Sequence, residues 1–270
     1  REDFEDITTK IYQQSTELEN ICDVKDGIIL GGIKDLLLSN TKKDNRYEKW
    51  LEGNEVSRYS IQWSGRYICY DKTLVDEELK RKQQKAKLQA KNKSDFEKLS
   101  RSGVWLRKPD VFRQVKILTR QNARQLIGVL DDGNKFFVKN SLHCALLKDK
   151  FYNLRYILGL INSRLIDFYF QNSIGNTGEI FSQMKIAYIT KLPIRIINFN
   201  NKNEKKIHDR IVELVEQMLS LNKQLAEAKT GHEQTLLQRQ IDATDKQIDK
   251  LVYELYSLTP EEIAIVEDQG

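Results

Sequence analysis

Proline is almost missing from this 270-residue chain: only Pro109, Pro193 and Pro260 occur, far apart. No Pro-Pro pair exists, which excludes the Asn/Asp-Pro-Pro-aromatic motif of amino methyltransferases. Neither a Gly-rich phosphate loop nor a G-x-G-x-x-G is present, so the common nucleotide-cradling turns are excluded too. His143, His208 and His232 stand far apart and make no metal-ligand spacing. Pro109-Asp110 is the only opening of a nuclease-like motif, and no Asp/Glu-x-Lys follows it up to residue 150. Cysteine is scarce and odd in number, with Cys22, Cys69 and Cys144 widely spaced. A disulfide framework or zinc site is not expected; three reduced thiols of a cytoplasmic protein are. Purely apolar runs reach only about five residues, far short of the roughly 20 a membrane-spanning helix needs. The chain opens on Arg1-Glu2-Asp3 with neither an initiator Met nor an apolar leader, and so reads as a piece of a longer protein. No catalytic residues, metal ligands or cofactor loop are expected within it.

Charge, by contrast, is abundant and unevenly placed. The net +5 divides into −5 on residues 1–24, +15 on residues 25–200 and −5 on residues 201–270. A basic body between acidic flanks is the footprint of a polyanionic partner, nucleic acid foremost. The segment 80–98 alone holds eight Lys/Arg.

The patterning is mixed. Residues 7–21 read as a short amphipathic helix or a linker, with Ile7, Ile11, Leu18 and Ile21 apolar. Gly27-Ile28-Ile29-Leu30-Gly31-Gly32 reads as a strand ending in a Gly-rich turn, and residues 40–46 as a polar loop. Residues 61–71 alternate weakly, as strands do. Residues 76–99 lack Gly and Pro and predict one long, mostly exposed basic helix, broken by Ser102-Gly103. Residues 111–118 predict a strand. Residues 126–129 and 135–138, joined by Asp131-Asp132-Gly133-Asn134, predict a β-hairpin. Residues 153–170 carry apolar positions at helical spacing and predict one helix buried on a wide face. A polar loop follows over 172–178, and residues 186–193 lead to another short strand. In the last 70 residues Ile207, Ile211, Leu214, Met218, Leu221 and Leu225 mark one stripe, and Leu237, Ile241, Ile248, Leu251, Val252 and Leu255 another. Thr230-Gly231 interrupts them, which predicts an antiparallel, coiled-coil-like αα-hairpin. Its stripes are narrow and need either the rest of the domain or a partner to lean on. The fold class expected is α+β: small mixed sheets followed by a long helical hairpin. The division expected is 1–24 as an acidic linker or helix, 25–200 as a basic body with a basic helix near 76–100, and 201–270 as hairpin and acidic tail.

Four blocks resemble one family. Trp50-Leu51-Glu52-Gly53-Asn54-Glu55-Val56-Ser57-Arg58-Tyr59 is similar to its Leu-x-Gly-x-Asp-Ile-x-Arg-Tyr block, and Lys116-Ile117-Leu118-Thr119-Arg120 to its Pro-Lys-Ile-x-x-Arg strand. Leu158-Gly159-Leu160-Ile161-Asn162-Ser163-Arg164-Leu165 resembles its Leu-Gly-Leu-Leu-Asn-Ser-Lys-Leu helix. The run from Leu251 to Ile263, with Tyr253-Glu254-Leu255-Tyr256 and Thr259-Pro260-Glu261-Glu262, resembles its C-terminal signature. The family is the TaqI-like C-terminal specificity, or target-recognition, domain of type II restriction-modification enzymes and N6-adenine DNA methyltransferases; in design it is similar to type I specificity subunits. The sequence departs from it at Leu30 and Ile33, where Thr and Asn are usual, and at Gln114-Val115, where Pro often precedes the Lys-Ile pair.

The resemblance implies binding rather than bond-breaking. It implies DNA target recognition for the body, residues 25–200, and marks the basic helix near 76–100 as an insertion. Double-stranded DNA is the implied partner, together with a methyltransferase domain upstream in the same polypeptide, where S-adenosylmethionine would bind. Side chains on loops would pair with base edges in the major groove while other cations fix the register on phosphates. The loop candidates are Lys42, Lys43 and Arg46; then Arg101, Arg107 and Lys108; then Arg120, Gln121, Asn122 and Arg124. Asn172, Ser173, Asn176 and Thr177 offer a second reading loop, with a structural turn as the plainer expectation. Arg58 is expected to be structural, paired with a buried acid. Trp63 and Trp105 are expected in the core. The alternative function is a protein-interaction module whose hairpin docks a methyltransferase or other partner.

Overall fold

Three apolar stretches with little alternation, at 116–120, 128–131 and 142–147, form the centre of the molecule. The computed structural model describes residues 2–101, 103–121, 123–174 and 186–268. In it, Gly128–Asp131, Lys116–Arg120, Leu142–Leu147 and Cys22–Asp26 pair in that order into an antiparallel sheet. Both faces of this first sheet are covered, so even polar residues of its strands, Lys116, Thr119, Asp131 and His143, are buried. Ile117, Leu130 and Ala145 face one core, whereas Leu118, Val129 and Cys144 face the other. The lack of alternation in Leu142–Leu147 hides it as a strand in the sequence.

The second core lies between this sheet and another, ordered Phe137–Val138, Tyr47–Leu51, Tyr67–Cys69, Leu38–Ser39. Its chain path corrects the expected β-hairpin. Gly128–Asp131 pairs with Lys116–Arg120, while Phe137–Val138 crosses to the second sheet and runs parallel to Trp50 and Leu51. The Asp131 carboxylate redirects the chain: it accepts the amides of Asn134, Lys135 and Phe136 at 3.1, 3.0 and 2.8 Å. The Lys116 ammonium neutralises it at 2.6 Å, with both side chains 0% exposed, and also donates to the Phe112 carbonyl at 2.6 Å. The two sheets touch at Gly27. A Cβ there would sit 2.2 Å from the Lys139 carbonyl oxygen, which only glycine avoids.

The first core lies on the sheet's other face, under helices Leu154–Ile161 and Arg164–Tyr169, the N-terminal helix Glu2–Gln13 and the hairpin. Two expected single helices are each two. Residues 153–170 break at Asn162-Ser163, where the Ser163 hydroxyl caps the second helix. The basic segment forms Lys72–Gln89, capped by Asp71, and Lys93–Ser100, capped by Asn92. Asn92 competes for backbone partners in a way the helix-forming Lys and Gln around it do not. The expected strand at 111–118 opens instead with a helical turn, Asp110–Arg113.

The αα-hairpin is formed by Lys202–Glu227 and Gly231–Leu255, with Thr230 capping the second helix, and Pro260–Asp268 follows. Ile207, Ile211, Leu214, Val215, Met218, Ile248 and Val252 all lie in the first core, so the stripes lean on the rest of the chain. Gly159 allows the close approach: a Cβ there would meet Ile211 at 2.8 Å and Val215 at 3.1 Å. The three cysteines are free and buried. Among the described residues no helix is long and apolar enough to cross a membrane.

Two outcomes follow in urea unfolding. Lys116→Met leaves a buried carboxylate unpaired and lowers stability by about 3–5 kcal/mol. Leu214→Asp or Ile248→Asp costs several kcal/mol. Values within about 0.5 kcal/mol, as for surface changes, would contradict the burial.

Candidate nucleic-acid interface

The predicted contact residues fall into two neighbourhoods. The first surrounds the start of the basic helix. Lys42 and Lys43 are exposed on the loop before Tyr47–Leu51, with the Lys43 ammonium 5.8 Å from the Tyr47 ring centroid. Arg46 is held by Asp44 at 2.7 Å and by Asp71, the helix cap, at 3.2 Å. Those two carboxylates raise its pKa further and occupy its guanidinium. Arg101 and Lys108 are exposed, and the Arg101 carbonyl accepts from Lys82 at 2.9 Å. Arg107 turns inward: its Nε donates to the Asp26 carbonyl at 3.0 Å, and its Nη2 lies 3.5 Å from the Asp26 carboxylate. The hydrogen bond from His143, with Arg107 nearby, holds the Asp26 carboxyl below its ordinary range.

The second neighbourhood is the turn between Lys116–Arg120 and Gly128–Asp131. Arg120 is half-buried, 3.4 Å from the Val56 carbonyl, and the Gln121 backbone N–H donates to the Ser141 carbonyl at 2.9 Å. Arg124 is exposed. Asn122, and Asn176 and Thr177 of the second predicted loop, lie outside the described residues. Asn172 and Ser173 close the helical run after Tyr169, and the Asn172 amide bonds back to the Phe168 carbonyl at 2.9 Å.

Beside this turn, a polar cleft is lined by Arg58, Gln125, Asn162, Arg164, Asp167 and Asp245. Arg58 grips both Asp245 oxygens at 2.9 and 2.7 Å and donates to the Asn162 carbonyl at 2.6 Å. The expected acidic partner is therefore on the hairpin. Burial works against the Arg58 charge, but Asp245 outweighs it and the guanidinium pKa is raised. Asn162 in turn exchanges two hydrogen bonds with Gly128, at 2.8 and 3.0 Å. One helical turn beyond Asp245, burial and the Asp245 charge push the Asp249 carboxyl up to about 6, against the opposing pull of the Arg164 amide and the Arg58 charge.

Trp63 is half-buried, donating to the Trp50 carbonyl at 2.9 Å and packing on Phe136, as core residues do. Trp105 is the correction: it is 59% exposed. The sequence signal that separates the two is strand phase. Val104 and Leu106 pack into the second core, so the residue between them points out. Among the described residues, no group of three or more His, Cys, Asp or Glu is placed to hold a metal.

Fold and surface together define an α+β module whose cations are displayed on loops and on a helical appendage. The family model of the TaqI-like C-terminal specificity domain matches residues 48–194, more than half of the chain, and the chain belongs to that family. Among solved structures it is similar to a type I restriction-modification system S subunit from M. genitalium, with 15% identity, 78% of this chain and 41% of that one covered, and a TM-score of 0.41. It is also similar to the HsdS subunit from Thermoanaerobacter tengcongensis, with 9% identity, 94% and 51% covered, and a TM-score of 0.38. The chain thus spans about half or less of those chains. Curated proteins give no match.

Asp249, one helical turn from the cleft residue Asp245, makes stability pH-sensitive. Its folded pKa lies above the ordinary carboxyl value, so its contribution to stability is complete below about pH 4 and is lost as pH rises through about 6. Asp249→Asn removes this titration. Relative to wild type, the variant gains roughly 2–3 kcal/mol between about pH 4 and 7.5. Chemical denaturation across that range measures the difference; a constant gap would contradict the assignment.

Proposed function

We propose that this chain recognises a double-stranded DNA target within a restriction-modification system. On this reading it presents the duplex to an adenine-N6 methyltransferase domain of the same polypeptide, which lies ahead of it and binds S-adenosylmethionine. The chain itself contributes grip and sequence choice, not chemistry. The observation that carries the reading is family membership over residues 48–194 in a body, residues 25–200, whose net charge is +15. A duplex is a dense polyanion, so such a body attracts it while flanks of −5 each do not. Holding the flanking duplex is what a methyltransferase acting on an extruded base requires. The alternative, a hairpin that docks a protein partner, has less surface to work with, because much of the apolar stripe is already consumed inside the chain.

The test is a duplex titration at two salt concentrations, on a sequence selected from a randomised pool and on its scrambled counterpart. Non-specific affinity is expected at roughly 10⁻⁴–10⁻⁶ M in physiological salt. Changing Lys42 and Lys43 to Gln flattens the salt slope by about 0.9 for each phosphate no longer neutralised, equally on both duplexes. Arg120→Ala or Gln121→Ala costs about 1–3 kcal/mol on the selected duplex and little on the scrambled one. Binding that ignores salt removes DNA as the partner.

A further inference from the structure

An exposed tryptophan is unusual unless something holds it ready. Trp105 lies on the short strand Val104–Trp105, paired with Ile29–Leu30. Its cross-strand neighbour Ile29 is itself 38% exposed, so the pair forms a small apolar patch on the outer face. The ring is fixed from one side. The Arg107 guanidinium lies 5.1 Å from the ring centroid, a cation–π contact. Arg107 is held by Asp26, and Asp26 by the fully buried His143 at 2.8 Å. The Tyr70 hydroxyl adds a hydrogen bond to the Arg107 carbonyl. A chain of contacts therefore runs from the interior of the first sheet to one surface ring.

The ring's surroundings identify what it meets. Trp105 lines a groove together with Lys72, Val75 and Leu79 from the start of the basic helix and with Lys108. Asp76, the acid of that groove, is already paired with Lys72 at 2.6 Å. Between residues 72 and 108, twelve Lys/Arg stand against five acids. An apolar ring framed by cations complements a ligand with anionic edges and apolar faces between them. Duplex DNA has that chemistry: phosphates flanking deoxyribose and, at thymine, a methyl group in the major groove.

We propose that Trp105 is a DNA-contact residue, preset by the His143–Asp26–Arg107 chain to seat its free face on the apolar parts of the duplex between phosphates. The inference rests on the DNA-recognition reading above and adds an uncharged contact, with Arg107 as its positioning residue.

The two readings separate by salt. Trp105→Ala weakens duplex affinity about tenfold and leaves the salt slope unchanged, because no counterion is released by an uncharged side chain. Trp105→Phe keeps an aromatic face and retains most of the affinity. In wild type, added duplex shields tryptophan emission from acrylamide. That shielding disappears in Trp105→Phe, since Trp50 is 0% exposed and Trp63 half-buried. Salt-dependent binding with wild-type affinity in Trp105→Ala, and an emission that stays quenchable with duplex bound, overturns the inference and leaves DNA recognition standing. Failure of any duplex to bind overturns both. The shielding measurement uses the unmodified chain, so the test holds even if the alanine variant folds poorly.

Discussion

The contact between Arg58 and Asp245 joins parts of the chain that are 187 residues apart, and much of the architecture depends on it. The guanidinium is a planar fork, suited to holding both carboxylate oxygens at once. The second N–H of its Nη2 reaches the Asn162 carbonyl, and Asn162 clasps Gly128 with both ends of its amide. Sheet edge, central helix and hairpin are thus fixed through two side chains. Removing either partner would strand a half-buried charge, which is costlier than never having had the pair. The arrangement also explains why the resembling blocks sit where they do. The Arg58-Tyr59, Leu158–Leu165 and C-terminal segments are remote in sequence but meet at or beside this node. Tyr256 adds the last tie, accepting from the Arg195 amide at 3.0 Å and donating to the Pro193 carbonyl at 3.2 Å.

A second buried ion pair governs the route of the chain rather than its assembly. Lys116 and Asp131 face each other across neighbouring strands, and the carboxylate's remaining capacity is taken by three amides of the following turn. Without that, the turn at 131–134 has the residues of a simple hairpin. With it, the next strand is delivered to the other sheet. The Lys of the Lys-Ile-x-x-Arg block is therefore a structural residue here, not a phosphate contact.

The helical hairpin, its turn and the α+β class were legible in the sequence because helical periodicity and capping residues act locally. Arg58 was also legible as a structural residue, although no local pattern could reveal Asp245 as its partner. Strand partners were not legible, since 137–138 chooses its sheet through a buried carboxylate. Nor was the strand at 142–147, whose double burial erases alternation. Each of the two divided helices broke at an Asn: Asn162 closes the first helix with its backbone N–H on the Leu158 carbonyl while its side chain bonds Gly128, and Asn92 capped the second basic helix. Trp105 was misjudged because composition favours burial for tryptophan, whereas its position between Val104 and Leu106 turns it out.

The count of cations therefore overstates the charge available to a polyanion. Arg46, Arg58, Arg66, Arg107 and Lys116 are committed to carboxylates of the same chain. Such pairs contribute little to the distant field, because each cation is matched within 4 Å. What reaches outward is the remainder: Lys42 and Lys43 on their loop, Arg101 and Lys108 beside the groove, Arg124 on the turn, and the lysines of the basic helices. Among the described residues none of Lys42, Arg101, Lys108 or Arg124 forms an ion pair. These side chains are long and solvated, able to follow phosphates but poorly able to discriminate bases. Discrimination needs groups held rigidly by the fold. Arg120, its guanidinium 3.4 Å from the Val56 carbonyl, and Trp105, stacked by Arg107, are side chains held in this way, and Gln121 is fixed through its backbone amide on the Ser141 carbonyl. On the proposed reading the loops would give adhesion, and the braced positions choice.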